Sequence, residues 1–192
     1  MQNQSLLEQQ LGRDAELNLK NKRTGMFVFQ VSWIMAFVCI VIVNWQLRFS
    51  ANWRPAGTPE ASPLIGIFAT LALVISAVLV WRAVNAIRAD DDRAFILQWG
   101  GALALGALFA LVMVYEWLTV ETGTQYALVF RLMTGFHVVH ALAIGLYMAL
   151  VFRNGARGAY HADHYWAVEA GAKLWYFVLV AWLMFYVVIY WV

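Results

Sequence analysis

Five stretches of this chain, 26–47, 64–83, 94–118, 126–152 and 167–191, stay apolar over roughly 20 residues or more, enough for an α-helix rising about 1.5 Å per residue to span a bilayer's hydrocarbon layer. Such segments leave the backbone little choice. Lipid offers no hydrogen bonds, so each peptide group must be satisfied by its own helix or within a closed barrel. The expected fold is all-α, an integral membrane bundle of five transmembrane helices. The composition agrees: 63% of residues are hydrophobic and 12% charged, about half the charge of a soluble domain.

The links between the runs carry breakers and charges: Pro55, Gly57, Pro59 and Pro63 in the first, then 90–93, 121–124 and 155–163. Residues 1–24 are polar and hold Arg13, Lys20, Lys22 and Arg23, with Leu7 and Leu11 as one weak helical stripe. They read as an arm ahead of a five-helix domain over 25–192. A secretory signal would place a short apolar core and a cleavage site nearer the start. Lys and Arg divide unevenly between the two ends of the spans. The arm, Arg82, Arg88, Arg93, Arg153 and Arg157 fall on one side, and Arg48, Arg54 and Arg131 on the other. Basic residues favour the cytoplasmic side, which sets the N-terminus in the cytoplasm and the C-terminus outside. Trp45, Trp53, Trp117, Tyr126, Tyr190 and Trp191 then gather at the outer interface, where amphipathic rings are enriched. The single cysteine, Cys39, allows no disulfide within the chain. A net charge of +2, with basic residues flanking apolar runs, excludes a nucleic-acid footprint.

Polar residues at membrane depth are costly and mark places where a helix meets protein or water rather than lipid. His137 and His140 lie three residues apart, so both point into one sector of the fourth helix. Ala141, Gly145 and Ala149 continue the ridge from His137, the spacing at which small residues let another helix come close. Ligation of haem or metal by this pair needs further ligands from another helix. The other histidines, His161 and His164, fall in a link. The expected role is therefore interhelical hydrogen bonding, with no cofactor or metal in the chain.

Glu116 stands near the outer end of the third helix, a few residues before the link, whereas His140 lies about fourteen residues inside Tyr126, roughly 21 Å at 1.5 Å per residue, too deep for direct contact. Glu116 is expected in a wet position, a polar pocket or among lipid headgroups, with a histidine of the fourth helix as the alternative partner. Glu169 has Lys173 four residues on, the favourable order for an ion pair. Asp163 suits the cap of the last helix. Trp175 and Trp182, seven apart, share one helical face, the mark of packing. Ser32 and Ser76 read as packing hydroxyls, and no catalytic nucleophile and base are expected.

The last run, EAGAKLWYFV from Glu169 and WLMFYVVIYW from Trp182, resembles the C-terminus of subunit III of the haem-copper oxidases. The likeness extends through the segment TGFHVVH (134–140), through Tyr115 and Glu116, and to Gly25, Met26 and Ser32. It covers all five helices and resembles the five-helix bacterial form. The resemblance implies a non-catalytic subunit of a terminal oxidase, which reduces oxygen and moves protons. It implies contact with catalytic subunit I and subunit II, haem and copper held in those partners, bound phospholipid, and a bacterial plasma membrane. Three positions depart from the family pattern: Trp33 replaces an acid, and Tyr176 and Leu179 replace a His and an Asp. Such departures bring in a subunit III-like component of a nitric oxide reductase as an alternative. A free-standing membrane cytochrome b with histidine-ligated haem is another, and a small transporter a third, although no internal repeat supports it.

Overall fold

The computed structural model describes residues 2–50, 53–55, 61–120 and 122–191. Among the described residues there are five helices: α1 (Gln2–Arg48), α2 (Pro63–Arg88), α3 (Asp92–Thr119), α4 (Gln125–Gly155) and α5 (Trp166–Tyr190). Each is long and apolar enough to cross a membrane. Among the described residues the only β feature is an isolated bridge between His161 and His164.

The chain divides into two compact units, Met1–Ala36 and Phe37–Val192. The first is helical from Gln2, so the arm forms regular helix where the sequence offered one weak stripe. Phe29 stacks on Trp33 with centroids 6.1 Å apart, and Ser32 Oγ donates to the Val28 carbonyl one turn back at 2.9 Å. Leu11, Leu17, Phe27 and Met35 are all exposed.

In the second unit α2 packs on α3, α3 on α4, α4 on α5, and α5 back on α2, which closes a ring of four helices. Short links make consecutive helices antiparallel neighbours. Leu73, Val80, Trp99, Phe109, Met148 and Trp182 fill the centre with no exposed surface.

Local chemistry sets most of the ends. Pro63, expected in a link, is instead the first residue of α2, where its missing N–H costs nothing and its fixed φ suits the helix. Asp91 caps α3 by accepting from the Ala94 N–H at 2.9 Å. Thr124 caps α4 by accepting from Ala127 N–H at 3.1 Å. The cap of α5 is Tyr165, without a side-chain bond, so Asp163 does not serve there. The expected breakers Gly57, Pro59 and Glu121 lie outside the described residues.

The two ends of this unit are tied differently. At one, Asp90 adopts φ +53 and its carboxylate accepts from Ala162 N–H at 2.8 Å, while Arg88 Nε donates to the Tyr165 hydroxyl at 3.1 Å. At the other, Arg48 donates to the Val188 carbonyl at 2.8 Å, Ser50 donates to the Gln125 side chain, and Ala61 N–H donates to the Tyr126 hydroxyl at 3.0 Å.

Candidate functional site

The two histidines of α4 are buried, with His137 0% and His140 7% exposed. Rings surround His137 from three other helices. Phe37 of α1 lies 6.2 Å away, Phe109 of α3 5.5 Å, and Trp182 and Phe185 of α5 5.4 and 6.2 Å. Neither ring nitrogen of His137 has a hydrogen-bond partner among the described residues. The expected interhelical hydrogen bond is therefore not what holds this residue. Aromatic packing does, in edge-on and tilted geometries that use the quadrupoles of the rings. His140 sits edge-on to Phe37 at 5.2 Å and to Phe177 at 5.4 Å. Phe37 thus wedges between both histidines and α5, a role that one phenylalanine among several in an apolar run gave no means of reading.

Among the described residues no group of three or more His, Cys, Asp or Glu side chains is placed to hold a metal.

Glu116 is neither wet nor paired with a histidine. It is 2% exposed, and its Oε2 accepts from the Tyr190 hydroxyl at 2.5 Å, while Oε1 has no partner among the described residues. Burial of a carboxyl group without full hydrogen bonding is costly, and the Tyr190 hydroxyl offsets part of that cost. Tyr190 reaches Glu116 from the last turn of α5 across Gly66 of α2, whose absent side chain leaves room for the phenol ring.

The tryptophans of α5 do more than pack. Trp175 Nε1 donates to Ser76 Oγ at 2.9 Å, and Ser76 in turn donates to the Ala102 carbonyl of α3 at 2.7 Å. One turn pair further along, Trp182 Nε1 donates to Thr70 Oγ1 at 2.8 Å, and Thr70 donates to the Gly66 carbonyl at 2.7 Å. Ser76 is thus a relay between three helices, more than a packing hydroxyl. Such interhelical bonds contribute about 0.6–2 kcal/mol each in membranes. Gly106 of α3 completes the seam, because a Cβ there would lie 2.5 Å from the Trp175 ring. Glu169 and Lys173 form the expected ion pair at 2.8 Å, with Lys173 also 5.8 Å over the Trp166 ring.

Among the described residues, the hydrogen bonds of Glu116, Ser76, Thr70, Trp175 and Trp182 join one helix to another.

Residues 7–192 match the sequence model of the family described as cytochrome c oxidase subunit III. The chain is similar to cytochrome c oxidase subunit 3 of Thermostichus vulcanus, 30% identical over 171 residues that cover 86% of this chain and 85% of the relative. It is likewise similar to the subunit 3 of Synechocystis, 30% identical over 143 residues, 72% of this chain and 61% of that protein. The pig (Sus scrofa) protein is 27% identical over 191 residues, 94% of this chain and 73% of its own length.

Proposed function

The chain belongs to the cytochrome c oxidase subunit III family, and from that premise we propose that it is a non-catalytic integral subunit of a haem-copper terminal oxidase in a bacterial plasma membrane. The observation that carries the reading is the family match over residues 7–192, which takes in the TGFHVVH segment and both tryptophans of the α2–α5 seam. In this reading electrons pass to oxygen, and protons move, through subunits I and II, which hold the haem and copper. This chain binds no redox centre. It supplies a rigid multi-pass wall that supports the catalytic subunit and contacts phospholipid.

The internal chemistry supports such a role. Of the polar side chains singled out in the sequence, Glu116, His137, His140, Trp175 and Trp182 bond or pack one helix against another, and Glu169 pairs with Lys173 along α5. The outer faces are apolar, with Phe68, Trp81, Leu111, Leu128 and Leu146 exposed, available to lipid and to other membrane helices. The Lys and Arg asymmetry supports a cytoplasmic N-terminus, with 1–24 as a cytoplasmic arm and 25–192 as the membrane domain. A thiol introduced by Asn3→Cys is then reached by an impermeant reagent only from the inner side.

An obligate subunit loses stability when its partner is removed. In a strain deleted for the catalytic subunit, immunoblotting of membranes is expected to find this chain reduced several-fold, since a loss of about 1–2 kcal/mol suffices to change abundance. Undiminished levels with a sharp monodisperse peak in detergent would contradict the proposal.

A further inference from the structure

Helix α2 begins at Pro63, and α3 and α5 end at Thr119 and Tyr190. These three helix ends gather around the Glu116 carboxyl, which the Tyr190 hydroxyl and the Ser62 N–H both face. The two residues ahead of α2 close over it: Ala61 is 4% exposed, against 2% for Glu116 itself.

Few bonds hold Ala61 and Ser62 in that place. Pro63 has no N–H to give, so residues 61–63 have two backbone donors, each aimed at one side chain. Ala61 N–H donates to the Tyr126 hydroxyl at 3.0 Å, and Ser62 N–H faces Glu116. Among the described residues no further hydrogen bond joins Ala61 or Ser62 to α3, α4 or α5. Tyr126 is itself fixed by other means. Its N–H donates to the Trp53 carbonyl at 3.0 Å, its ring stands edge-on to Trp53 at 5.8 Å, and the Arg54 guanidinium lies 5.8 Å over that ring. Loss of the hydroxyl bond therefore frees Ala61 without displacing the tyrosine.

We propose that Ala61 and Ser62 form a plug over Glu116, latched by the Tyr126 hydroxyl, which opens while the ring of α2 to α5 stays folded and admits water to the carboxyl. Segments held by few hydrogen bonds are where local openings occur. The carboxyl also has something to offer an entering water, because Glu116 Oε1 has no hydrogen-bond partner among the described residues, and a buried polar atom gains by being satisfied. The latch is internal to the chain and operates whether or not the chain sits in an oxidase.

The test is hydrogen–deuterium exchange, read by mass spectrometry of overlapping peptides, on the protein purified with the subunits that accompany it. In the wild type the amides of Ala61 and Ser62 are expected to exchange faster than those of residues 95–99, near the other end of α3. Tyr126→Phe keeps the ring and removes only the hydroxyl, and it should speed exchange at Ala61 and Ser62 about fivefold, the effect of one hydrogen bond, with residues 95–99 unchanged. Tyr190→Phe takes a hydroxyl from the same carboxyl but none from Ala61, and it should leave both amides at the wild-type rate. Wild-type exchange at Ala61 and Ser62 as slow as at 95–99, or no change in Tyr126→Phe, overturns the proposal. So does an equal rise at 95–99, which would mean that the whole bundle has loosened, or an equal rise in Tyr190→Phe.

Discussion

A neutral imidazole has one donor and one acceptor, and at His137 both lie among the rings of Phe37, Phe109, Trp182 and Phe185. A buried polar group without a partner costs about 1–3 kcal/mol, so a phenyl ring of similar size keeps the packing and removes that cost. His137→Phe is therefore expected to leave the thermal unfolding midpoint in detergent unchanged or raised, whereas His137→Ala should lose about 3–5 kcal/mol by opening a cavity. A large loss with Phe would mean that the nitrogens are satisfied and the ring is held by hydrogen bonds. Glu116 depends on a specific partner instead. A double-mutant cycle of Glu116→Gln and Tyr190→Phe should give a coupling of about 0.5–1.5 kcal/mol, the range for a side-chain hydrogen bond. A cycle that closes near zero would remove the bond from the account. The sequence singled out all three polar residues because their placement in apolar runs is costly. It could not identify their partners: Tyr190 is 74 positions from Glu116, and Phe37 looks like any other phenylalanine in α1.

At the level of helices, hydropathy located every span and misplaced the ends, for a physical reason. Apolar runs mark where a helix is surrounded by lipid or protein, but hydrogen bonding carries it further until a cap or breaker intervenes. Thus α2 runs on to Arg88, α4 to Gly155 and α1 back to Gln2. The small-residue ridge of α4 was read as a close-packing surface, and the structure divides it. Ala141 is 3% exposed, but a Cβ on Gly145 would meet nothing within 4 Å. Close approach occurs at Gly106, under Trp175. Gly106→Ala should cost about 1–3 kcal/mol through overpacking of the α3–α5 contact. Gly145→Ala should instead be neutral, or stabilising by about 0.5–1 kcal/mol through helix propensity. Denaturation of the two variants side by side checks the assignment, and a reversed order would contradict it. The α2–α5 seam was half legible, since seven-residue spacing put Trp175 and Trp182 on one face, while Ser76 and Thr70 as their acceptors required the fold.

For the whole molecule, the ring of α2 to α5 consumes the buried polar chemistry internally and leaves apolar faces outward, the organisation of a supporting membrane subunit. The resemblance in the sequence reached the same family that the comparisons establish, because TGFHVVH and the aromatic C-terminus are specific in combination. Trp33, Tyr176 and Leu179, the positions at which the resemblance leads one to expect two acids and a histidine, have packing contacts in the structure. Trp33 stacks on Phe29, and Tyr176 and Leu179 lie against the core. Under the proposed function this chain holds an oxidase together, and electron and proton transfer belong to its partners. Purification through a tag on this chain in mild detergent, with mass spectrometry of the co-purifying subunits and a visible spectrum, tests that most directly. The account predicts catalytic subunits I and II in stoichiometric amounts, with a haem signal that disappears when those subunits are stripped away. A chain that elutes without them, or that keeps haem once they are removed, would contradict it.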